Sequence, residues 1–297
     1  MKTIEGFKDW ASLQISSRGR PYSPGSVNSM TTYAKCVLRE TESTVDTITI
    51  EKIIKFLAKY STRTENRNAG FVCYNNYLSA LRLLEKYLDR KFTTGLMFIK
   101  VELPDITNRM LELPELKKLD KSPYVDIELL ALISFSYDTG CRIREALKLD
   151  DDNLNLTKRL AKFLDTKNGE DRVVTFTLQA AKLIQLHLLT ANRTDWIKKR
   201  RDKIWGRVGY RTYSRNLKKA ICMVCPEDLH GRSISLHSLR HSRAYYLTSV
   251  GTNIKAIMDQ FGWKNYKMLD RYAKLTLEDR EYILKEADVK IKQRFKI

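Results

Sequence analysis

A mainly α-helical chain carrying one small antiparallel sheet is the fold class that the sequence predicts. Apolar residues recur at three- and four-residue spacing along most of the 297 residues, which is the period of an amphipathic helix. After Asp150 the period falls to two, over residues 152–157, 159–165 and 172–177, which is the spacing of strands. Between the last two runs stands Asn168-Gly169, a pair that favours a tight hairpin turn.

The length and one linker-like stretch, residues 91–108 with Pro104, divide the chain into a helical domain over 1–105 and an α+β domain over 106–297. In the first, Ile4, Phe7, Trp10, Ala11 and Ile15 have helical spacing. The Gly/Pro/Ser stretch 16–26 reads as a loop, and Ser26 or Asn28 is placed to cap a helix bearing Met30, Tyr33, Ala34, Val37 and Leu38. Thr49 precedes a third helix with Ile53, Ile54, Leu57 and Tyr60, and a long fourth carries Phe71, Tyr74, Leu78, Leu81, Leu84, Tyr87 and Leu88. Lys35, Arg39, Lys52, Lys55, Lys59, Arg63, Arg67, Arg82, Lys86 and Arg90 decorate these helices, a set suited to gripping a phosphate backbone.

In the second domain, residues 110–121 read as a short helix with Pro114 in its first turn. Residues 126–137 are apolar nearly all round, so that helix belongs at the centre of the core. A turn at Asp138-Thr139-Gly140 leads into a helix over 141–148. The small sheet follows, with Lys167 at its hairpin tip, then helices over 178–189 and near 212–224. His237 begins a further helix, Gly262 breaks the pattern, and a short helix carries Tyr272. A helical tail with Tyr282, Ile283, Ala287, Val289 and Ile291 is long enough to leave its own domain and dock on a neighbour.

Charge narrows the function. Lys and Arg number 54 against 35 Asp and Glu, a net +19 that favours a polyanionic partner. Residues 106–297 hold 38 of the basic and 24 of the acidic residues, so the excess lies mostly there. Its densest window, 193–219, has 11 basic and 2 acidic residues. Trp196 and Trp205 in that window read as core. No apolar run reaches the ~20 residues that span a bilayer, and the N-terminus lacks a secretory core, so the expected place of work is the cytoplasm. The five cysteines form no disulfide framework. Cys222-x-x-Cys225 with His230 fits a zinc site less well than a helix end with small thiols.

The residues that offer chemistry are Arg142, Lys167, His237, Arg240 and Tyr272. His237 and Arg240, three apart, share one helix face. A phenol is a candidate nucleophile, and arginines suit the non-bridging oxygens of a phosphodiester because charge builds on them in the transition state. Lysine or histidine can protonate a leaving oxygen. Cationic side chains in that role require no metal and no cofactor.

With these residues quoted, the sequence resembles the tyrosine recombinases of the phage-integrase and Xer type. Thr139-Gly140-Cys141-Arg142-Ile143-Arg144-Glu145 resembles the family's first box, and Thr166-Lys167-Asn168-Gly169-Glu170-Asp171-Arg172 its hairpin box. His237-Ser238-Leu239-Arg240-His241-Ser242 resembles the second box. Phe261-Gly262-Trp263, with Tyr272 nine residues on, resembles the third box and the nucleophile. The resemblance spans about residues 110–275, while the first helices match the family's core-binding domain only in size and character. One departure is Trp263, where most of the family has histidine and Cre has tryptophan. An indole N–H donates a hydrogen bond but cannot exchange a proton.

The resemblance implies that Tyr272 attacks a scissile phosphate and forms a 3′-phosphotyrosyl link. It implies that Arg142, Arg240, His237 and Trp263 hold the phosphate, that Lys167 protonates the 5′-oxygen, and that His237 assists the proton of Tyr272. Glu145 and His241 are supporting residues. Arg144 and Arg172 are structural or backbone-binding residues and not catalytic ones, and with Lys198, Lys199, Arg200, Arg201, Lys203, Arg207 and Arg211 they are candidates for the DNA backbone. The implied partners are double-stranded DNA and further copies of the chain, as a dimer and a tetramer that passes through a Holliday junction, with accessory DNA-bending proteins allowed for. The implied task is integration, excision or resolution of DNA elements. A type IB topoisomerase-like nicking-closing enzyme, a non-catalytic DNA-binding protein and a metal-dependent nuclease are the alternatives.

Overall fold

The computed structural model describes residues 2–17, 19–62, 67–101, 109–164, 171–190, 203–206, 208–225, 234–272 and 277–295. It is mainly helical with one small sheet, and the chain separates into two compact units, Met1–Pro104 and Asp105–Ile297.

The first unit is built from α1 (Ile4–Ser12), α2 (Pro24–Glu40), α3 (Ile50–Ser61) and α4 (Arg67–Leu88). Thr3, Ser23 and Thr49 cap the first three, each side-chain oxygen accepting a backbone N–H of the first turn. Helix α2 thus begins ahead of the expected Ser26 or Asn28. Pro24, whose ring presets a helical φ and whose missing N–H costs nothing there, opens it behind Ser23. Helix α4 packs against the other three over a core that includes Phe7, Val37, Leu57, Leu78, Leu81 and Leu84.

The described part of the expected linker is bound chain. Asn75 brackets Ile99, donating to its carbonyl at 2.7 Å and accepting its N–H at 2.9 Å. The Glu85 carboxylate accepts the N–H groups of Phe92 and Thr93. Arg82 donates to the Leu96 carbonyl at 2.6 Å, and Arg90 donates to the carbonyls of Asp46 and Ile48. Those two arginines fasten their own unit.

The second unit contains α5 (Leu113–Lys118), α6 (Ile127–Thr139), α7 (Ile143–Ala146), β1 (Leu154–Asn155), β2 (Leu160–Phe163), β3 (Arg172–Thr175), α8 (Leu178–Thr190), α9 (Tyr210–Val224), α10 (Leu236–Ser249), α11 (Ile254–Phe261) and α12 (Leu277–Phe295). The apolar helix α6 is central and packs against α8 and α10. The strands form an antiparallel sheet in the order β1-β2-β3, with Ala161 opposite Val174 and Phe163 opposite Arg172. Its inner residues reach α6 through Phe135, which meets Phe163 and Phe176 edge-on. The strands are shorter than the period-two runs. A 3-10 turn capped by Asp150 takes residues 151–153, and Arg159 adopts a φ of 56° in the tight turn before β2.

Trp205 is buried core and stacks on His187 at 5.8 Å, while Trp196 lies outside the described residues. Cys225 is buried and Cys222 exposed; His230 lies outside the described residues. Among the described residues, no three or more His, Cys, Asp and Glu side chains are gathered as for a metal ion. No described helix is long and apolar enough to cross a membrane.

Candidate active site

Four segments of the second unit converge: the turn from α6 into α7, the start of β3, the first half of α10, and the chain from the end of α11 to Tyr272. Glycines make the first and last possible. Gly140 ends α6 and Gly262 ends α11, both in the left-handed region, with φ of 58° and 64°. Each reverses the chain within a residue and aims Arg142 and Trp263 back toward α10.

Arg240 is the anchor. It is 3% exposed, and its guanidinium donates to the carbonyls of Gly140 and Phe261, the latter at 2.8 Å. It also lies over the rings of Phe261 and Trp263, at 4.9 and 5.2 Å. Burial, and then the charge of Arg142, pull it below the ordinary arginine range to about 9, which leaves it cationic at neutral pH.

Arg142 caps α7 and is half-buried. Its guanidinium donates to Glu145 at 2.8 Å, and the same carboxylate accepts the Arg142 N–H at 2.8 Å. Arg172 donates to both Glu145 oxygens, at 2.6 and 3.2 Å, and to the Gln260 carbonyl at 3.4 Å. Burial pushes the Glu145 carboxyl up, but the hydrogen bonds and charge of Arg172, with those of Arg142, outweigh it and hold the group at about 2. Arg172 therefore joins β3, α7 and α11, which is the structural one of the two roles expected for it. Its side chain is 9% exposed, and a Cβ on Gly262 would come within 3.1 Å of it.

His237 stands in the first turn of α10, exposed at the open side of the cluster. Desolvation, and then Arg240, Arg142 and Arg109, lower its imidazole to about 4. One turn on, the His241 ring meets it edge-on at 4.7 Å. Tyr272 is 4% exposed, its hydroxyl lies 2.6 Å from His241 Nδ1, and its ring stacks on Trp263 at 5.6 Å and 18°. Burial raises the phenol to about 12 against the opposing charges of Arg240 and Arg271. The hydrogen bond to the phenol is made by His241, and His237 meets the ring of that histidine.

Arg142, His237, Arg240, Trp263 and Tyr272 are thus brought together, with Glu145 and His241 beside them. Lys167 lies outside the described residues, as do Lys198, Lys199, Arg200, Arg201 and Arg207. Arg144, Lys203 and Arg211 are exposed. Sequence reasoning missed Arg109, whose charge reaches both histidines, and the carbonyls of Gly140 and Phe261, for which no residue-type signal exists. In chemical terms the site offers a fixed guanidinium pair, an imidazole facing outward, and a phenol already hydrogen-bonded to a neutral ring.

A helical unit and a small-sheet unit with this cluster are the features of the integrase class. Residues 109–278, more than half of the chain, match the phage integrase family, and the chain belongs to it. It is 24% identical over 270 residues to a probable integrase/recombinase protein of Methanocaldococcus jannaschii, covering 80% of this chain and 81% of that protein. It is 25% identical over 225 residues to tyrosine recombinase XerA of Saccharolobus solfataricus, covering 72% and 67%. Against tyrosine recombinase XerC of Neisseria meningitidis serogroup C it is 26% identical over 188 residues, 63% of this chain but only 59% of that protein. The fold is similar to that of the XerH site-specific recombinase bound to its difH substrate, with TM-score 0.67, 16% identity, and 94% and 82% of the two chains covered. It is also similar to lambda integrase in a tetramer bound to a Holliday junction, with TM-score 0.66, 15% identity, and 91% and 77% covered. DNA strand transfer of the recombinase kind is accordingly the general activity to which the chain belongs.

Proposed function

We propose that this chain is a site-specific recombinase in which Tyr272 attacks a DNA phosphate and leaves a 3′-phosphotyrosyl link. The observation that carries the reading is the meeting of the Tyr272 phenol with Arg142, His237 and Arg240 in one cluster. Arg240, fixed by two carbonyls, and Arg142, fixed by Glu145, hold the non-bridging oxygens as charge develops. Trp263 takes the Cre-like role, its indole N–H donating to the phosphate while its face supports the phenol. Lys167 protonates the leaving 5′-oxygen. The covalent link keeps the phosphodiester free energy, so rejoining needs neither ATP nor a metal ion.

The partners of this reading are double-stranded DNA and further copies of the chain, two on each of two duplexes, exchanging strands through a junction. The helical unit grips the duplex backbone, as do Arg144, Lys203, Arg211 and the basic stretch 198–207. Helix α12, which in this single chain lies against α10, docks on a neighbouring copy in the assembly. The biological setting is integration, excision or resolution of a DNA element inside the cell.

The test is covalent trapping on nicked duplexes drawn from sequences flanking the gene, in the presence of EDTA. The wild-type chain should yield a protease-sensitive protein–DNA adduct and Tyr272→Phe none. Tight binding without any adduct would favour the non-catalytic reading. Relaxation of supercoils without site preference would favour the topoisomerase-like one.

A further inference from the structure

We infer that the cavity between α10, α11 and the turn before β2 is a binding site for a small phosphate-class anion, separate from the catalytic cluster. The inference does not rest on the recombinase reading, because it needs neither DNA nor Tyr272.

The cavity has a volume of about 430 Å³, a size that small-molecule sites have. Three cations line it: Lys158 and Arg159 from the turn before β2, and Arg243 from α10. One acid, Asp138, lines it too, but its carboxylate is engaged, accepting both the N–H and the hydroxyl of Thr177. Three positive charges against one negative leave a local excess of positive charge. Among the described residues none of the three cations has an ion pair. Lysines on the adjoining β2 and α11 are paired, Lys162 with Asp171 and Lys255 with Asp259. Like charges gathered in a concave site repel one another and concentrate counter-ions there.

The cations stand on fixed backbone. The Lys158 N–H donates to the Asn155 side chain at 2.7 Å, and the Arg159 carbonyl accepts the Phe176 N–H at 3.2 Å, so the left-handed residue 159 is pinned to the end of the sheet. Arg243 stands one turn beyond Arg240 and lies over the ring of Tyr137 at 5.3 Å. Its Nε–H is shielded from solvent and finds no acceptor among the described residues. A buried donor without an acceptor is costly, so a small turn of the guanidinium toward an oxyanion in the cavity recovers a hydrogen bond. The guanidinium fork matches two oxygens of a phosphate at once. Phe176, Leu247 and Ile257 give the cavity an apolar side, which suits the organic part of a phosphomonoester.

The cavity shares a wall with the catalytic cluster. The Gln260 side chain lines it and clasps Thr175, donating to its carbonyl at 2.7 Å and accepting its N–H at 3.2 Å. The backbone carbonyl of the same residue accepts from Arg172 at 3.4 Å. An anion held by Lys158, Arg159 and Arg243 therefore ties the sheet to α10 behind the arginines, and Arg142, His237 and Tyr272 are not among the lining residues.

The experiment is titration with inorganic phosphate at constant ionic strength, followed by calorimetry and by the thermal midpoint. Arg142→Met removes one of the two guanidiniums proposed to hold the DNA phosphate and so isolates the cavity. In that variant, phosphate at about ten times its dissociation constant should raise the midpoint by roughly 3–6 °C. Adding Lys158→Ser and Arg159→Asn should weaken the affinity by about tenfold or more. Both side chains are exposed, and asparagine tolerates the left-handed φ of residue 159, so the fold is kept. A phosphate affinity unchanged by the two substitutions overturns the inference, as does the lack of any phosphate effect in Arg142→Met. Should Arg142→Met fail to fold, the pair placed in the wild-type chain decides: loss of one bound equivalent supports the site, and an unchanged titration overturns it. A short random-sequence duplex separates the sources of phosphate. Retention of the cavity-bound phosphate in its presence supports a free anion, and displacement gives the cavity to the DNA backbone and overturns the inference. None of these outcomes depends on a DNA adduct, so this inference and the recombinase reading fail independently.

Discussion

Arg172 and Glu145, separated by 27 residues in sequence, meet with both side chains 9% exposed and a shortest N–O distance of 2.6 Å. The pair positions more than itself, because the same carboxylate holds Arg142 through both its guanidinium and its backbone N–H. Removing the Arg172 charge leaves the buried carboxylate with Arg142 but without its bidentate partner, a change that costs about 1–3 kcal/mol. Arg172→Met should therefore lower the thermal midpoint of the second unit by roughly 2–12 °C. Differential scanning calorimetry of the full chain checks this, and an unchanged midpoint would show that the pair holds nothing together.

Acid should undo the same arrangement. The Glu145 carboxyl sits at about 2 in the folded protein, against an unfolded value near ~4.3. Its stabilisation is full above the unfolded value and is lost as pH falls through that window toward 2. The lowered imidazoles of His237 and His241 act earlier. Below roughly pH 6.5 the unfolded chain binds protons that the folded one refuses until about 4 and about 3, so stability already declines there. Thermal midpoints of wild type and Glu145→Gln, measured from neutral to acid pH, should differ most near neutrality and converge toward pH 2. A gap that stays constant with pH would contradict the assigned carboxylate.

How much of this was legible in the sequence depends on how local each cause is. Helix α6 was legible because it is apolar all round, and the start of α3 because Thr49, which precedes it, caps it within one turn. The short strands were overread because Asp150 and Arg159 impose turns that a period-two pattern does not register. The Asn75 and Glu85 clasps that fix residues 92–99 use backbone groups of the bound chain, which carry no residue-type signature. At the site, the types and order of Arg142, His237, Arg240 and Tyr272 were legible. Their partners were not, since Arg172 to Glu145 and His241 to Tyr272 are contacts made only by the fold.

Gly140 is the backbone point on which the arginine anchor turns. Its φ is 58°, its carbonyl accepts from Arg240, and an added Cβ would fall 2.4 Å from the buried ring of Phe261. Gly140→Ala combines a disfavoured backbone with a clash against packed aromatic carbon, and should cost about 2–4 kcal/mol. Gly25, in the first turn of α2 with nothing within 4 Å of an added Cβ, is the control. Gly25→Ala should be neutral or stabilising by up to about 1 kcal/mol. Chemical denaturation of the two variants checks the contrast, and equal effects would show that the close approach at Gly140 is easily relaxed.

Trp263 packs against Tyr272 and Arg240, and substitution can separate that packing from the donor role proposed for its indole. Its face supports Tyr272 and lies under the Arg240 guanidinium. Trp263→Ala removes both and leaves a cavity, so stability should fall by about 3–5 kcal/mol. Trp263→Phe keeps an aromatic face on Tyr272 and most of the packing, so its stability should stay within about 2 kcal/mol of wild type. If the indole donates to the phosphate in the transition state, the Phe variant should nonetheless cleave about 10²-fold more slowly, as for the loss of one fixed donor to a developing oxyanion. Single-turnover cleavage at saturating protein, set beside thermal midpoints, separates the two effects. A Phe variant as active as wild type would confine Trp263 to holding the tyrosine, and the phosphate would then rest on Arg142, His237 and Arg240 alone among the described side chains.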